Sequence, residues 1–129
     1  MKKILVVEDS QSERDLITLY LEQNNYQVVS TNNAADGMEL AAKEKPDLII
    51  TDITMDGVNG FEFCRLLKAY PDTADIPIIA CTARDREMDK FWGQKQGVDV
   101  YMTKPYSQSD LISAIESVIK QEEWIIWWC

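Results

Sequence analysis

The sequence predicts an α/β fold in which a doubly wound, five-stranded parallel sheet is covered by five helices. Short apolar runs alternate with segments of helical periodicity along the whole chain, which is typical of parallel strands joined by helical crossovers. The central runs are almost continuously apolar, as burial on both faces of a sheet requires. Polar residues follow four of these runs, which places them together at the carboxyl edge, where open α/β sheets bind ligands.

The strands are predicted from short runs of apolar and β-branched residues that are bounded by turn-forming residues. They lie at residues 4–7, 26–31, 48–51, 76–81 and 100–103. The helices are predicted from apolar residues at helical spacing, at about 10–25, 34–45, 61–70 and 85–96. A last helix follows Lys104-Pro105 and carries apolar residues from Leu111 to Ile119. Ser10 and Glu13 have the spacing of a capping box at the first helix. Pro46 and Pro71 end the second and third helices, and Gly97 the fourth.

Composition limits the classes of function that are open to the chain. A length of 129 residues, with 46% hydrophobic and 27% charged residues, is typical of one soluble globular domain. No apolar run approaches the roughly 18 residues of a transmembrane segment, and the N-terminus leads directly into a strand instead of a cleavable signal. The net charge of −9 argues against nucleic acid as a partner, since phosphate contacts need a basic face.

Two residue types add to this picture. The three cysteines lack the spacing of a metal or redox motif, and an odd number of them suits a reducing cytoplasm. Histidine is absent. Any imidazole that takes part in the chemistry of this chain must therefore come from a partner protein.

The polar residues at the strand ends form a candidate site. Asp52 ends the third strand, Glu8 and Asp9 follow the first, Thr82 follows the fourth, and Lys104 follows the fifth. Taken alone, Asp9 would be explained as a helix cap and Asp52 as a turn residue. Their convergence on one sheet edge favours a site instead. Three acids beside an ammonium and a hydroxyl are suited to a divalent metal and a phosphoryl group.

These residues resemble a known constellation, that of the CheY-like receiver domain of bacterial two-component response regulators. The resemblance covers roughly residues 3–121 and rests on Glu8-Asp9, Asp52, Thr82-Ala83 and Lys104-Pro105. It implies a flavodoxin-like sheet with strand order 2-1-3-4-5. It also implies a signalling protein that is not an enzyme in the usual sense, but promotes its own phosphorylation and dephosphorylation.

The resemblance further implies a role for each residue. Asp52 accepts the phosphoryl group, while Lys104 and Thr82 contact its oxygens. Thr82 and Tyr101 form the switch that reports phosphorylation. Arg84, together with Thr54, tunes the lifetime of the phosphoryl group.

Magnesium is the implied cofactor, with manganese as a possible substitute. Asp9 and Asp52 are expected to bind the metal directly, Glu8 through a water molecule, and Thr54 through its backbone carbonyl. The peptide bond between Lys104 and Pro105 is expected to be cis.

The partners follow from the same resemblance. A histidine kinase or a histidine phosphotransfer protein would supply the phosphoryl group, and a downstream protein target would dock on the fourth helix, fifth strand and fifth helix. Trp92-Gly93-x-x-Gln96-Gly97 also resembles stand-alone regulators from chemosensory systems for twitching motility and phototaxis. The sequence leaves open whether the protein is an output or a relay that passes its phosphoryl group to a phosphotransfer protein.

Two other classes of α/β protein bind phosphoryl or phosphate groups at the same edge of the sheet. A phosphohydrolase of the haloacid dehalogenase kind has its nucleophile after the first strand in an Asp-x-Asp pattern, whereas Thr54 lies two residues beyond Asp52. A flavodoxin-type cofactor binder needs a phosphate-binding loop of small residues where this chain has Glu8 and Asp9. Neither class fits.

The last residues differ from the rest of the chain. We divide it into a receiver domain at 1–122 and an aromatic tail at 123–129, which holds three of the four tryptophans. Consecutive large apolar residues on a continued helix would surround its axis, so one domain face could not cover them all. The tail is interpreted as a surface for self-association or for a partner, or as a segment that folds back on its own domain.

Overall fold

The computed structural model describes residues 1–55, 58–83 and 97–128. The strands of its main sheet are Lys3–Val7 (β1), Gln27–Thr31 (β2), Leu48–Asp52 (β3), Ile78–Thr82 (β4) and Val100–Thr103 (β5). Its helices are Gln11–Gln23 (α1), Ala34–Glu44 (α2), Gly60–Ala69 (α3) and Gln108–Trp128, the C-terminal helix. All five predicted strands are present, with ends that differ by at most two residues. The helix predicted at 85–96 lies outside the described residues.

The main sheet is parallel throughout, in the order β2-β1-β3-β4-β5. The predicted fold class and strand order are therefore confirmed. Its register aligns the carboxyl ends of the central strands. The aligned pairs at this edge are Val7 with Thr51, Asp52 with Cys81, and Thr82 with Thr103. Residues that directly follow these strands consequently begin at nearly the same height.

Both faces of the sheet are buried, which explains the continuous apolar runs. In β1, Leu5 and Val7 contribute to one core and Ile4 and Val6 to the other. The first core is completed mainly by α2 and α3, including Ala41, Phe63 and Leu67. The second is completed mainly by α1 and the C-terminal helix, including Ile17, Leu21, Leu111 and Ile115. The site edge is thus fixed between two packed layers.

The start of α1 differs from a complete capping box. The Ser10 hydroxyl accepts a hydrogen bond from the Glu13 N–H at 3.4 Å, as the pattern predicts. The Glu13 carboxylate does not return to the Ser10 N–H, which instead donates to Glu8 Oε2 at 3.1 Å. The carboxylate contacts Lys104, because an ammonium is a stronger partner than a neutral amide.

The segment after Asp52 is more regular than the sequence suggested. Thr54–Met55 and Val58–Asn59 pair as two short antiparallel strands, whereas the sequence predicted no strand between residues 52 and 75. Strands of two residues are too short to leave a periodic pattern. Gly60 closes this segment: its N–H donates to the Ile53 carbonyl at 3.0 Å, and a Cβ here would lie 2.7 Å from the Asp52 carbonyl oxygen. Only glycine allows this close approach.

The C-terminal helix is longer than the strand that precedes it. Its 21 residues span roughly 31 Å at 1.5 Å per residue, whereas β5 has four residues. Leu111, Ile115 and Ile119 are buried at successive turns, so the helix runs back along the sheet from the carboxyl edge. It continues through residues 122 and 123 without interruption. None of the helices in the described part of the chain is both long and apolar enough to cross a bilayer.

Candidate functional site

The sheet brings the predicted polar residues together at its carboxyl edge. Glu8 follows β1 and is 1% exposed, Asp52 ends β3 and is 7% exposed, and Thr82 ends β4 and is fully buried. Lys104 follows β5 and is half-buried. Two carboxylates at this depth need a compensating charge, because burial strongly disfavours an unpaired ion.

Lys104 provides that charge. Its Nζ donates to Asp52 Oδ2 at 2.8 Å, to Glu8 Oε1 at 3.0 Å and to Glu13 Oε2 at 2.8 Å. The backbone fixes the residue in place, since the Lys104 N–H donates to the Thr82 carbonyl at 2.7 Å. The Lys104–Pro105 peptide is cis, as the resemblance implied.

Glu8 differs from an ordinary surface acid. Burial raises the pKa of its carboxyl from 4.5 to about 8, although hydrogen bonds from the Ser10 N–H and Lys104 act in the opposite direction. The Asp52 carboxylate adds to the increase by repulsion. The Arg14 guanidinium donates to the Glu8 carbonyl at 2.8 Å and so supports the backbone at this corner. Glu8 therefore protonates more readily than an exposed glutamate does.

The other two partners respond differently. The hydrogen bond from Lys104 lowers the pKa of Glu13, whose side chain is 45% exposed. Burial alone would lower the pKa of the Lys104 ammonium, but its hydrogen bonds to Asp52, Glu13 and Glu8 outweigh burial and raise that pKa above its usual range. Lys104 therefore remains charged throughout the physiological pH range.

Glu13 is the site residue that sequence reasoning missed. It was assigned to helix capping alone, because it lies in a helix and not at a strand end. Its position could have been found from geometry: the first turn of a helix that follows a parallel strand lies at the same sheet edge as the end of that strand. Side chains on that turn are therefore candidates as well as those in the loops.

The remaining predicted residues are near the edge or outside the described part of the chain. Asp9 is half-buried and lies close enough to Glu13 to oppose its ionisation. The backbone of Thr54 lies in the first of the two short strands after Asp52. Tyr101 is half-buried in β5, and its ring stacks on Phe61 with the centroids 6.5 Å apart. Arg84 and Trp92 lie outside the described residues.

The donor set suits a hard divalent cation. Among the described residues, Glu8, Glu13 and Asp52 each offer a carboxylate oxygen, and these oxygens lie within 4.8 Å of one another. Mg²⁺ prefers oxygen ligands, and a group of carboxylate oxygens of this kind offers them. Asp9, which we expected to bind the metal directly, is not a member of this particular group.

The strand order and the acidic edge define a class of protein. The response regulator receiver domain matches residues 4–116, and the chain belongs to that family. Its sequence is 42% identical to protein PilH of Pseudomonas aeruginosa over 119 residues, which cover 92% of the chain and 98% of PilH. The resemblance inferred from the sequence is therefore confirmed.

Two further likenesses support this assignment. The chain is 35% identical to the alkaline phosphatase synthesis transcriptional regulatory protein PhoP of Bacillus subtilis, over 95% of the chain but 50% of PhoP. The solved structure of chemotaxis protein CheY4 of Vibrio cholerae has a TM-score of 0.87 and 27% identity, with 92% of the chain and 98% of CheY4 covered. The chain thus spans about half of a regulator such as PhoP and nearly all of PilH or CheY4.

The pKa of Glu8 generates a first prediction. Because the folded protein binds this proton more tightly than the unfolded chain, Glu8 stabilises the fold fully below about pH 4.5, and this contribution is lost as the pH rises through about 8. In the presence of a chelator, Glu8→Gln should therefore unfold at a higher temperature than the wild type at pH 9, and the difference should shrink towards pH 5.

Thermal unfolding followed by circular dichroism at each pH measures this difference. Glu39→Gln, at an exposed acid on α2, is the matched control and should follow the wild type. Equal pH slopes for Glu8→Gln and the wild type would contradict the assignment.

Proposed function

We propose that the protein is a response regulator that accepts a phosphoryl group on Asp52 from a partner histidine kinase and signals by altered protein docking. The observation that carries this proposal is the Lys104 ammonium 2.8 Å from Asp52 Oδ2, at the carboxyl edge of a receiver fold. A nucleophilic carboxylate beside a fixed cation is suited to phosphoryl transfer, which needs positioning and charge stabilisation more than covalent chemistry.

The transfer step needs a donor that this chain lacks. A carboxylate oxygen of Asp52 forms a bond to phosphorus while the bond from phosphorus to the imidazole nitrogen of a partner's phosphohistidine breaks. The electron pair of that bond remains on the imidazole nitrogen. The absence of histidine in the chain fits this division of roles. Lys104 and the Thr82 hydroxyl would then hold the oxygens of the transferred group.

Magnesium, or manganese in its place, is proposed as the cofactor. We assign its direct ligands to Asp9, Asp52 and the Thr54 carbonyl, with Glu8 bound through water. When bound, the metal neutralises charge on the phosphoryl oxygens and reduces repulsion among the acids. Two of the proposed ligands, Glu8 and Asp52, belong to the close group of carboxylate oxygens at the edge, which supports an oxygen-ligated divalent ion.

Mass spectrometry of the intact protein tests the phosphoacceptor. After treatment with acetyl phosphate and Mg²⁺, the wild type should gain one phosphoryl group, and Asp52→Asn should gain none because its amide is not a nucleophile. Excess chelator should also suppress the reaction. Asp72→Asn, at an exposed acid after α3, is the control and should react like the wild type. Undiminished labelling of Asp52→Asn would refute the assignment.

We further propose that Thr82 and Tyr101 transmit phosphorylation to the face formed by β5 and the C-terminal helix. Thr82 is aligned with Thr103 and Ala80 with Tyr101, so a shift of β4 acts directly on β5. The Tyr101 ring already packs on Phe61 at the sheet edge. Such coupling shifts the population of two states and does not create a new fold. The helix predicted at 85–96, a further part of this face, lies outside the described residues.

Hydrogen exchange of β5 and the C-terminal helix, with and without beryllofluoride and Mg²⁺, tests this coupling. In the wild type, binding of beryllofluoride should change the exchange protection of these elements. Thr82→Ala should not show this change, because it has no hydroxyl that could move to the bound ligand. Thr82→Ser keeps the hydroxyl and should restore it. An undiminished change in Thr82→Ala, with ligand bound to the same extent, would show that the hydroxyl is not the connection.

We propose only the kind of signalling system to which the protein belongs. Likeness to the chemotaxis protein CheY4 and the Trp92 motif support a chemosensory system, such as one for twitching motility or phototaxis. We place the protein in the cytoplasm, where a kinase domain and reduced thiols such as the buried Cys64 and Cys81 are found. The alternative role is a relay to a histidine phosphotransfer protein. Incubation of the phosphorylated protein with candidate phosphotransfer domains would separate the two roles.

We also propose that the aromatic tail mediates self-association. The C-terminal helix continues to Trp128, and successive residues turn by 100° about its axis, so positions 124–128 are distributed around its whole circumference. The domain can cover only one side of such a segment. Three tryptophans at about 150–250 Å² each, on two copies, amount to roughly 1,000 Å² or more, close to what a specific interface buries. Glu122 and Glu123 disfavour an anionic lipid surface as the alternative.

Sedimentation in reducing buffer measures this association, since the reductant excludes a disulfide through Cys129. The full chain should form dimers at micromolar concentration. A truncation ending at Glu122, and the full chain with Trp124→Ser, Trp127→Ser and Trp128→Ser, should be monomeric. Leu16→Ser with Leu19→Ser removes the exposed apolar residues of α1 and should leave the dimer intact. A monomeric full chain at high concentration would refute the proposal.

A further inference from the structure

Lys104 has no donor to spare in its described position. An ammonium has three N–H groups, and Asp52, Glu8 and Glu13 accept one hydrogen bond each. A phosphoryl oxygen can therefore reach this ammonium only if one carboxylate gives up its place. The question is which of the three it is.

The three carboxylates differ in how easily they can leave. The Asp52 side chain is 7% exposed, and under the proposed function its carboxylate becomes covalently attached to phosphorus. The Glu8 side chain is 2% exposed and is also held by the Ser10 N–H at 3.1 Å. The Glu13 side chain is 45% exposed, so water can solvate its carboxylate as soon as it leaves Lys104. Glu13 is the partner that exchanges at the lowest cost.

We propose that Glu13 is a positioning residue that holds the Lys104 ammonium in the unphosphorylated protein and yields its hydrogen bond to the incoming phosphoryl group. This inference rests on the proposed function. Glu13 competes with the phosphoryl oxygens for the same N–H, and its negative charge also repels them. The backbone of Glu13 stays in place during the exchange, because its N–H is bound to the Ser10 hydroxyl.

The competition can be measured without turnover. Beryllofluoride, which mimics the phosphoryl group, is titrated in the presence of Mg²⁺ and its bound form is followed by fluorine NMR. Glu13→Gln should lower the half-saturating concentration by about tenfold, the factor that corresponds to one competing charge-assisted hydrogen bond. Glu13→Ala should act in the same direction. Glu22→Gln removes an exposed carboxylate from the same helix and should bind like the wild type.

The outcomes separate this inference from the proposed function. Failure of the wild type to bind beryllofluoride would refute the proposed function itself. Binding by the wild type with equal affinity in Glu13→Gln would overturn only the role of Glu13. Weaker binding in Glu13→Gln would also overturn it, and a matching loss of Mg²⁺ affinity would identify Glu13 as a metal ligand instead.

Discussion

The structure of the site depends on one interaction, the Lys104 ammonium shared among the carboxylates of Asp52, Glu8 and Glu13. Without it, two nearly buried acids would face each other in a medium that screens charge poorly. The interaction also connects distant parts of the chain, since its partners lie after β1, in α1, at the end of β3 and after β5. Removing one partner of such a group usually costs more than the group contributes, because it leaves a buried charge uncompensated. The same interaction therefore neutralises the buried acids and holds distant parts of the chain together.

The parallel sheet makes this convergence possible. Its register brings the ends of β1, β3, β4 and β5 to the same edge, and the two cores on its faces hold each strand in that register. At the opposite ends of the strands, the Asp47 side chain accepts the Lys3 N–H and the Asp99 side chain accepts the Ile78 N–H, each at 2.8 Å. Anchors at one edge and the ammonium at the other limit sliding of adjacent strands. A slip of one residue would turn each site residue to the wrong face.

The sequence contained most of this arrangement because each strand is short, apolar and directly followed by its functional residue. The strand order and the positions of Glu8, Asp52, Thr82 and Lys104 could be predicted for that reason. Glu13 was missed although its place on the first turn of α1 puts it at the same edge, because helix capping accounts for its pattern equally well. The pairing of Thr54–Met55 with Val58–Asn59 was missed because two-residue strands have no period. Predictions for Arg84, Trp92 and the helix at 85–96 fall outside the described residues.

Charge balance explains why the site can change state. Three carboxylates share one ammonium, so with all groups ionised the cluster is negative. Burial disfavours the charged form of Glu8 and raises its pKa to about 8, so a proton on Glu8 removes the excess charge. Near neutral pH this cluster can hold a proton, and the charge of a divalent cation bound nearby would favour release of that proton. A phosphoryl group adds negative charge, which the exposed Glu13 can offset by moving its own charge into water. The buried carboxylates of Glu8 and Asp52 fix the position of the Lys104 ammonium, and the exposed carboxylate of Glu13 allows the exchange. A site with three equally buried acids would hold Lys104 as firmly, but no partner could then leave at low cost.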